Sequence, residues 1–124
     1  QLASDVSRAS GIDVETDFSD DGRASQLSRE RALMVYRIAQ EALRNVAKHS
    51  RAKRARIIVR AQLNDIVVSI QDFGRGFEAT DPTHSKGLGL ISMAERTRLA
   101  EGRFEILSAP GEGTTVRAGV PIKG

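Results

Sequence analysis

Apolar and polar residues alternate along five short stretches of the chain, which is the pattern of β-strands with one buried face. The turn-forming pair Asn64-Asp65 separates the second and third stretches, and a cluster containing Pro110 and two glycines separates the last two. Strands joined by such short connections form antiparallel hairpins, so we expect a mostly antiparallel sheet. The predicted strands cover residues 12–18, 54–61, 66–71, 104–108 and 114–120.

Helical spacing of apolar residues marks two further stretches. The longer one follows Ser28, a good N-cap, and continues to His49 without an interrupting Gly or Pro. The other covers residues 88–100, and residues 2–10 are compatible with a short third helix. Helices beside a mostly antiparallel sheet predict an α+β fold, a two-layer α/β sandwich with the helices on one face. The predicted apolar face of the long helix comprises Ala32, Val35, Ala39, Ala42, Leu43 and Val46.

Length and composition are those of one globular domain, which we assign to residues 1–124. Because the chain begins at Gln1 without a Met, we expect it to be a fragment of a longer protein. It contains no Cys, which excludes disulfides, thiolate metal sites and Cys nucleophiles. No apolar run approaches the roughly 18 residues that a membrane span needs. We therefore expect a cytoplasmic domain, and a membrane anchor elsewhere in the full-length protein is left open.

The net charge of +3 is a mild basic excess, and acidic and basic residues are interleaved along the chain. Basic domains often bind nucleic acids, but only 4% of these residues are aromatic, which leaves little surface for stacking bases. Arg54, Arg56 and Arg60 share one side of a predicted strand, and we interpret them as a solvent-facing row. The composition therefore favours a solvated surface with phosphate contacts over a nucleic-acid interface.

A polar stripe on the long helix and an acid at the end of a strand are the first candidates for a site. Glu41, Asn45 and Lys48 follow one another at about one helical turn. Carboxylate and amide oxygens in this arrangement suit Mg²⁺, and a lysine can meet a phosphate as a point charge. Asp72 continues the apolar row of residues 66–70, where an unpaired carboxylate is costly. This acid needs a partner.

Residues 72–90 bring four glycines, an acid and a lysine together between a strand and a helix. Glycine lets backbone amides come close to a ligand, and a helix N-terminus favours anions, so this stretch is either a phosphate cradle or a flexible loop. The usual phosphate-loop and dinucleotide patterns are both absent, and His49 and His84 lack the spacing of a zinc site. The four glycines are Gly74, Gly76, Gly87 and Gly89.

Four segments resemble, in order, the motifs of the ATP-binding domain of sensor histidine kinases. Residues 40–49 look like the N box, 72–77 resemble the G1 box, 87–90 the G2 box, and 111–116 the closing Gly-x-Gly-Thr strand. The wider group is the GHKL ATPases, which share the Bergerat sandwich with gyrase and mismatch-repair proteins. The run Met93-Ala94-Glu95-Arg96 resembles the subfamily that pairs with LuxR/NarL-type response regulators.

The resemblance implies that the chain binds ATP and Mg²⁺. Asn45 would coordinate Mg²⁺, and Glu41 would be the catalytic residue that positions or activates water or the metal shell. Asp72 would accept a hydrogen bond from the adenine amino group, and Thr114 would support adenine, either directly or through water. The other implied contacts are Lys48 and His49 with phosphate or ribose, Gly74 and Gly76 with adenine, and Lys86, Gly87, Leu88, Gly89 and Leu90 with the phosphates.

The resemblance also implies partners that lie outside this chain. The γ-phosphoryl group would pass to a histidine on a separate dimerisation domain of the same protein. The full-length protein is expected to be a homodimer and to act on a LuxR/NarL-type response regulator. Neither His49 nor His84 fits the acceptor role, so we expect little autophosphorylation of this chain alone. An anti-sigma-factor-type serine kinase and a nucleotide-binding module without transfer are the alternatives. Nucleic-acid binding through the arginine row is a weaker third; we expect no nucleic-acid partner.

Overall fold

The computed structural model describes residues 12–50, 52–74 and 90–122, and within them it contains five β-strands and two α-helices. A 3₁₀ turn at Arg23–Gln26 precedes the first helix, and a π-helical segment at Val46–Ser50 follows it. The helices are α1 (Arg29–Asn45) and α2 (Leu90–Leu99). The strands are β1 (Asp13–Ser19), β2 (Arg54–Gln62), β3 (Asp65–Asp72), β4 (Arg103–Ser108) and β5 (Thr114–Pro121).

The strands form one sheet in the order β1-β2-β3-β5-β4. The pairings β2–β3, β3–β5 and β5–β4 are antiparallel, whereas β1 pairs with β2 in parallel. The parallel pair follows from connectivity, because α1 lies between β1 and β2 and a crossover of this length returns the chain in the same direction. The predictions of an α+β fold and a mostly antiparallel sheet are confirmed.

The hydrophobic core lies between the helices and one face of the sheet. Strand β3 alternates along its whole length, with residues 66, 68, 70 and 72 buried and the intervening ones half-buried. Helix α1 packs on β3 and β5 through its buried residues Ile38, Ala39, Ala42 and Leu43. The predicted apolar face is therefore correct in its second half, but Ala32 is exposed and Val35 is only half-buried. Phe18 is also 60% exposed although it keeps the core parity of β1.

Helix α1 begins as predicted but does not continue as an α-helix to His49. The Ser28 side chain caps it by accepting a hydrogen bond from the backbone N–H of Arg31 at 3.2 Å. After Asn45 the backbone widens into the π-helical segment, so Lys48 does not follow the α-helical spacing assumed from the sequence. The second helix begins at Leu90 in the described part of the chain, and residues 2–10 lie outside it.

The turn between β2 and β3 also differs from the prediction. The hairpin between β2 and β3 turns at Leu63-Asn64, one residue before the predicted pair, because Gln62 already pairs with Asp65. Leu63 adopts a left-handed φ of 56° and points into solvent, which the Asn-based prediction missed. None of the helices in the described ranges is long and apolar enough to cross a membrane.

Candidate functional site

Asp72 is a buried acid at the end of β3. Its side chain sits on the core face, and only 5% of the residue is exposed. The carboxylate accepts the backbone N–H of Gly74 at 2.9 Å and also the backbone N–H of Thr114. Burial raises the pKa of Asp72 above its ordinary value, and these two N–H groups oppose that rise without cancelling it. The prediction that this acid faces the core is confirmed.

The hydrogen bonds to Asp72 leave it able to bind more. An ionised carboxylate offers about four acceptor positions, and the two backbone N–H groups use only part of that capacity. Both donors belong to the loop and strand directly beside it, so they fix the orientation of the carboxylate. An oriented, desolvated acceptor at the edge of a core suits a ligand that brings its own N–H or O–H donor.

Strand β5 places Thr114 opposite Asp72, and β4 places Ser108 opposite Thr114. The Ser108 hydroxyl contacts the carbonyl oxygen of Gly113 at 3.1 Å and the Thr114 hydroxyl at 2.8 Å. Thr114 shares its face with the buried Val116, while Thr115 faces the other side with Arg117. The structure therefore brings Asp72, Gly74 and Thr114 together.

Gly113 is a site residue that the sequence reading did not assign. Its φ of 76° is in the left-handed region, and a Cβ built there would overlap the carbonyl oxygen of Asp72. Only glycine lets the β4–β5 turn approach the end of β3 this closely. The signal was present in the Gly-x-Gly-Thr run, but only the threonine of that run was assigned a role. Ser108 was also missed, although it shares the core-facing parity of Phe104 and Ile106.

The α1 part of the site lies at the same end of the sheet as Asp72. Residues 34 and 35, in the first half of α1, pack on both core clusters, whereas Leu43 and Val46 belong only to the cluster that contains Ile70 and Val116. Ile70 and Val116 are the core-facing residues that precede Asp72 and follow Thr114 on their strands. The C-terminal end of α1, which carries the predicted polar stripe, therefore overlies the Asp72 end of the sheet.

Glu41 and Asn45 are both half-buried on this last part of α1. The Glu41 carboxylate forms an ion pair with Arg44 at 3.2 Å, and Arg44 is itself more than half exposed. Within the described residues no three His, Cys, Asp or Glu side chains form a metal cluster. One carboxylate and one amide oxygen nevertheless fit Mg²⁺, which typically takes one or two protein ligands and completes its shell with phosphates and water.

Several predicted site residues have no described contact with Asp72 or the end of α1. Lys48 is exposed on the π-helical segment. His49 lies on the same segment and Leu90 begins α2, but their side chains are not described. The others, which lie outside the described residues, are Gly76, Lys86, Gly87, Leu88 and Gly89.

The arginine row on β2 is exposed, as expected for a solvated sheet surface. Arg54 lies over the ring of Phe73, 4.7 Å from its centroid, and Arg56 pairs with Glu15 at 3.8 Å. On α2, Arg98 pairs with Glu95. The described geometry therefore uses these cations in local contacts, which supports the interpretation of a solvated surface.

A mixed sheet covered on one face by helices, with a buried acid and a glycine turn at one end, defines a GHKL-type ATP-binding domain. A family model agrees with this class: that of the Histidine kinase-, DNA gyrase B-, and HSP90-like ATPases matches residues 30–124. The chain belongs to this family, and the prediction of an ATP-binding domain of the histidine kinase type is confirmed. ATP is the nucleotide that the family description names.

Curated relatives with similar sequences are sensor kinases. The chain is 31% identical over 88% of its length to the signal transduction histidine-protein kinase/phosphatase DegS of Brevibacillus brevis. It is 34% identical over 90% of its length to the oxygen sensor histidine kinase NreB of Staphylococcus carnosus, and 32% over 98% to the sensor histidine kinase LiaS of Bacillus subtilis. The chain spans 28% to 32% of the length of these relatives.

Solved structures show the same fold at lower sequence identity. The blue-light activated histidine kinase EL346 of Erythrobacter litoralis superposes with a TM-score of 0.74 at 19% identity, over 98% of this chain and 39% of that one. The histidine kinase AdeS of Acinetobacter baumannii superposes with a TM-score of 0.69 at 16% identity, over 98% of this chain and 59% of that one. These neighbours confirm the architecture.

Proposed function

We propose that this chain binds Mg-ATP and acts as the cytoplasmic catalytic domain of a sensor histidine kinase. The observation that carries the proposal is the buried carboxylate of Asp72, oriented by the N–H groups of Gly74 and Thr114 in a domain of this family. A desolvated acceptor of this kind matches the exocyclic amino group of adenine, which carries two N–H donors. The polar end of α1 beside it would then face the phosphates.

The proposed roles of the residues are those that the resemblance to this family implies, and the chemistry of each side chain suits its role. Asp72 accepts from the adenine amino group, and the Thr114 hydroxyl contacts the same edge of the base directly. Asn45 would hold Mg²⁺ and Glu41 would position water or the metal shell, while Lys48 and the glycine boxes would contact the phosphates. Mg²⁺ held by these residues would supply positive charge that stabilises the phosphates during phosphoryl transfer. The protein's own contribution is mostly positioning of these groups.

Transfer of the γ-phosphoryl group requires an acceptor histidine, and neither histidine of this chain fits that role. We propose that the acceptor lies on a separate dimerisation domain of the full-length protein, which acts as a homodimer and serves a LuxR/NarL-type response regulator. The similarity to DegS and NreB, which are named as histidine kinases, supports this assignment. No nucleic acid is part of the proposed function.

Phosphate labelling tests the proposed transfer. The 124-residue chain incubated with γ-labelled Mg-ATP is expected to remain unlabelled, while the full-length protein acquires an acid-labile phosphohistidine. Acid-stable label on a serine of a separate protein would instead favour the anti-sigma-factor-type kinase. Nucleotide binding without any transfer by the full-length protein would favour a binding module, and label on the isolated chain would contradict the division of roles.

Replacement of Asn45 by Ala tests the metal role. If Asn45 coordinates Mg²⁺, the variant loses affinity for Mg-ATP but keeps that for adenosine, which has no phosphates. The expected loss for Mg-ATP is about tenfold, the usual effect of removing one interaction with a charged group. Isothermal titration with both ligands measures it. Arg37→Ala, on the same helix but eight residues away, is the matched control, and equal losses for both ligands would contradict the metal role.

A further inference from the structure

Ser108 contacts two groups of the adenine end of the site, although no family motif placed it there. It is the last residue of β4 and lies directly opposite Thr114 in the β4–β5 register. Its Oγ is 3.1 Å from the carbonyl oxygen of Gly113 and 2.8 Å from Oγ1 of Thr114. Thr114 in turn lies opposite Asp72 and donates its backbone N–H to that carboxylate. Ser108, Thr114 and Asp72 thus form one connected row across three strands.

The direction of these hydrogen bonds follows from counting protons. A serine hydroxyl has one proton and a carbonyl oxygen has none, so the contact with Gly113 is a hydrogen bond only if Ser108 donates it. Once that proton is used, the contact between the two hydroxyls requires Thr114 to donate to Ser108. The Thr114 proton then points toward β4, and its oxygen presents only lone pairs to the Asp72 side.

The consequence is that both groups at the base-binding end accept hydrogen bonds. The Asp72 carboxylate is an acceptor when ionised, and Thr114 is turned into one by its neighbour. A 6-aminopurine offers donors to such a pair when the base contacts both groups directly. A 6-oxopurine offers an acceptor oxygen at the same position and would face two acceptors, which leaves buried polar groups unpaired and rejects the ligand.

We propose that Ser108 is a positioning residue that sets base specificity: by fixing the Thr114 hydroxyl as an acceptor, it makes the site select 6-aminopurine over 6-oxopurine nucleotides. The proposal rests on the proposed ATP-binding function. A purely structural role is the competing explanation, because the same hydroxyl also ties the end of β4 to the turn before β5. A structural tie would affect every nucleotide alike, whereas a fixed proton affects the ratio between nucleotides.

The test compares ADP with IDP, which differ at position 6 and at the adjoining N1. In Ser108→Ala the Thr114 hydroxyl is free to rotate and can donate to the 6-oxo group. The ADP-to-IDP affinity ratio, measured by isothermal titration on the 124-residue chain, is expected to fall about fivefold, the effect of one neutral hydrogen bond. Ser108→Thr keeps the hydroxyl and should retain the ratio. Ser69→Ala is the matched control, because Ser69 lies on the opposite face of the sheet near Arg117.

A second background excludes a general loss of structure. In Thr114→Val the rotatable hydroxyl is gone, so adding Ser108→Ala should leave the ratio unchanged, which a double-mutant cycle detects. An unchanged ratio in Ser108→Ala, or equal changes in Ser108→Ala and Ser108→Thr, would overturn the proposal. If the unmodified chain binds neither nucleotide, the proposed function itself fails. If the unmodified chain prefers ADP and Ser108→Ala keeps the same ratio, the proposed function stands and only the role of Ser108 is refuted.

Discussion

Replacement of Asp72 by Ala is expected to weaken ATP binding about ten- to a hundredfold, because a hydrogen bond to a buried charged acceptor is lost. The carboxylate is desolvated and held in place by the N–H groups of Gly74 and Thr114, so the ligand loses an acceptor that was already oriented for it. Titration calorimetry with ATP measures the loss. Adenosine should lose affinity by a similar factor, because the interaction is with the base and does not involve the phosphates.

Asp65→Ala is the matched control for this variant. Asp65 is the first residue of the strand that ends at Asp72, and it is only half-buried on the other side of the strand. Its replacement removes the same charge from the same strand and should leave ATP affinity unchanged. An Asp72→Ala variant that binds ATP as tightly as the unmodified chain would refute the adenine assignment.

The raised pKa of Asp72 also links the stability of the folded protein to pH. Burial raises the pKa of Asp72 in the folded state, so the folded protein binds this proton more tightly than the unfolded chain does. The carboxyl group therefore favours folding at pH values below its unfolded pKa, and that contribution disappears as the pH rises through the folded pKa. At neutral pH that contribution is absent, so the protein is less stable there than it would be with Asp72 protonated. A buried acid with a raised pKa is typical of a binding site.

Residue alternation predicted the parts of the fold that depend on one chain segment. The alternation of residues 66–72 placed Asp72 on the core face. The structure confirms this, because every second residue of the strand is buried. The N-cap at Ser28 was also predictable, because a serine before a helical stretch can accept a hydrogen bond from a backbone N–H of the first turn. Periodicity is a local property, and these features are local.

The rest of the site depends on register between segments, which periodicity does not contain. Nothing in the sequence pattern states that Thr114 lies opposite both Asp72 and Ser108, because a shift of the pairing by two residues would preserve every buried face. The π-helical segment after Asn45 was missed for a similar reason, since its residues carry no Gly or Pro to mark a change. The parallel pairing of β1 with β2 depends on the crossover connection that contains α1.

Gly113→Ala is expected to lower the free energy of unfolding by roughly 3 kcal/mol or more, combining left-handed backbone strain with overpacking. A Cβ at this position would overlap the carbonyl oxygen of Asp72 and come within 3.3 Å of the Cα of Phe73, and both are backbone atoms that cannot rotate away. The end of β3 must therefore shift, so ATP affinity should fall together with stability. Urea denaturation and ATP titration measure the two effects.

Gly111→Ala in the same turn separates the two causes of this loss. Gly111 has a φ of 81°, almost the same as the 76° of Gly113, but a Cβ there would meet no atom within 4 Å. Its replacement should cost only the left-handed strain of about 1–2 kcal/mol and should leave ATP affinity intact. Equal losses of stability in the two variants would mean that the turn does not press against β3. A Gly113→Ala variant with normal ATP affinity would show that the position of Asp72 does not depend on this close approach.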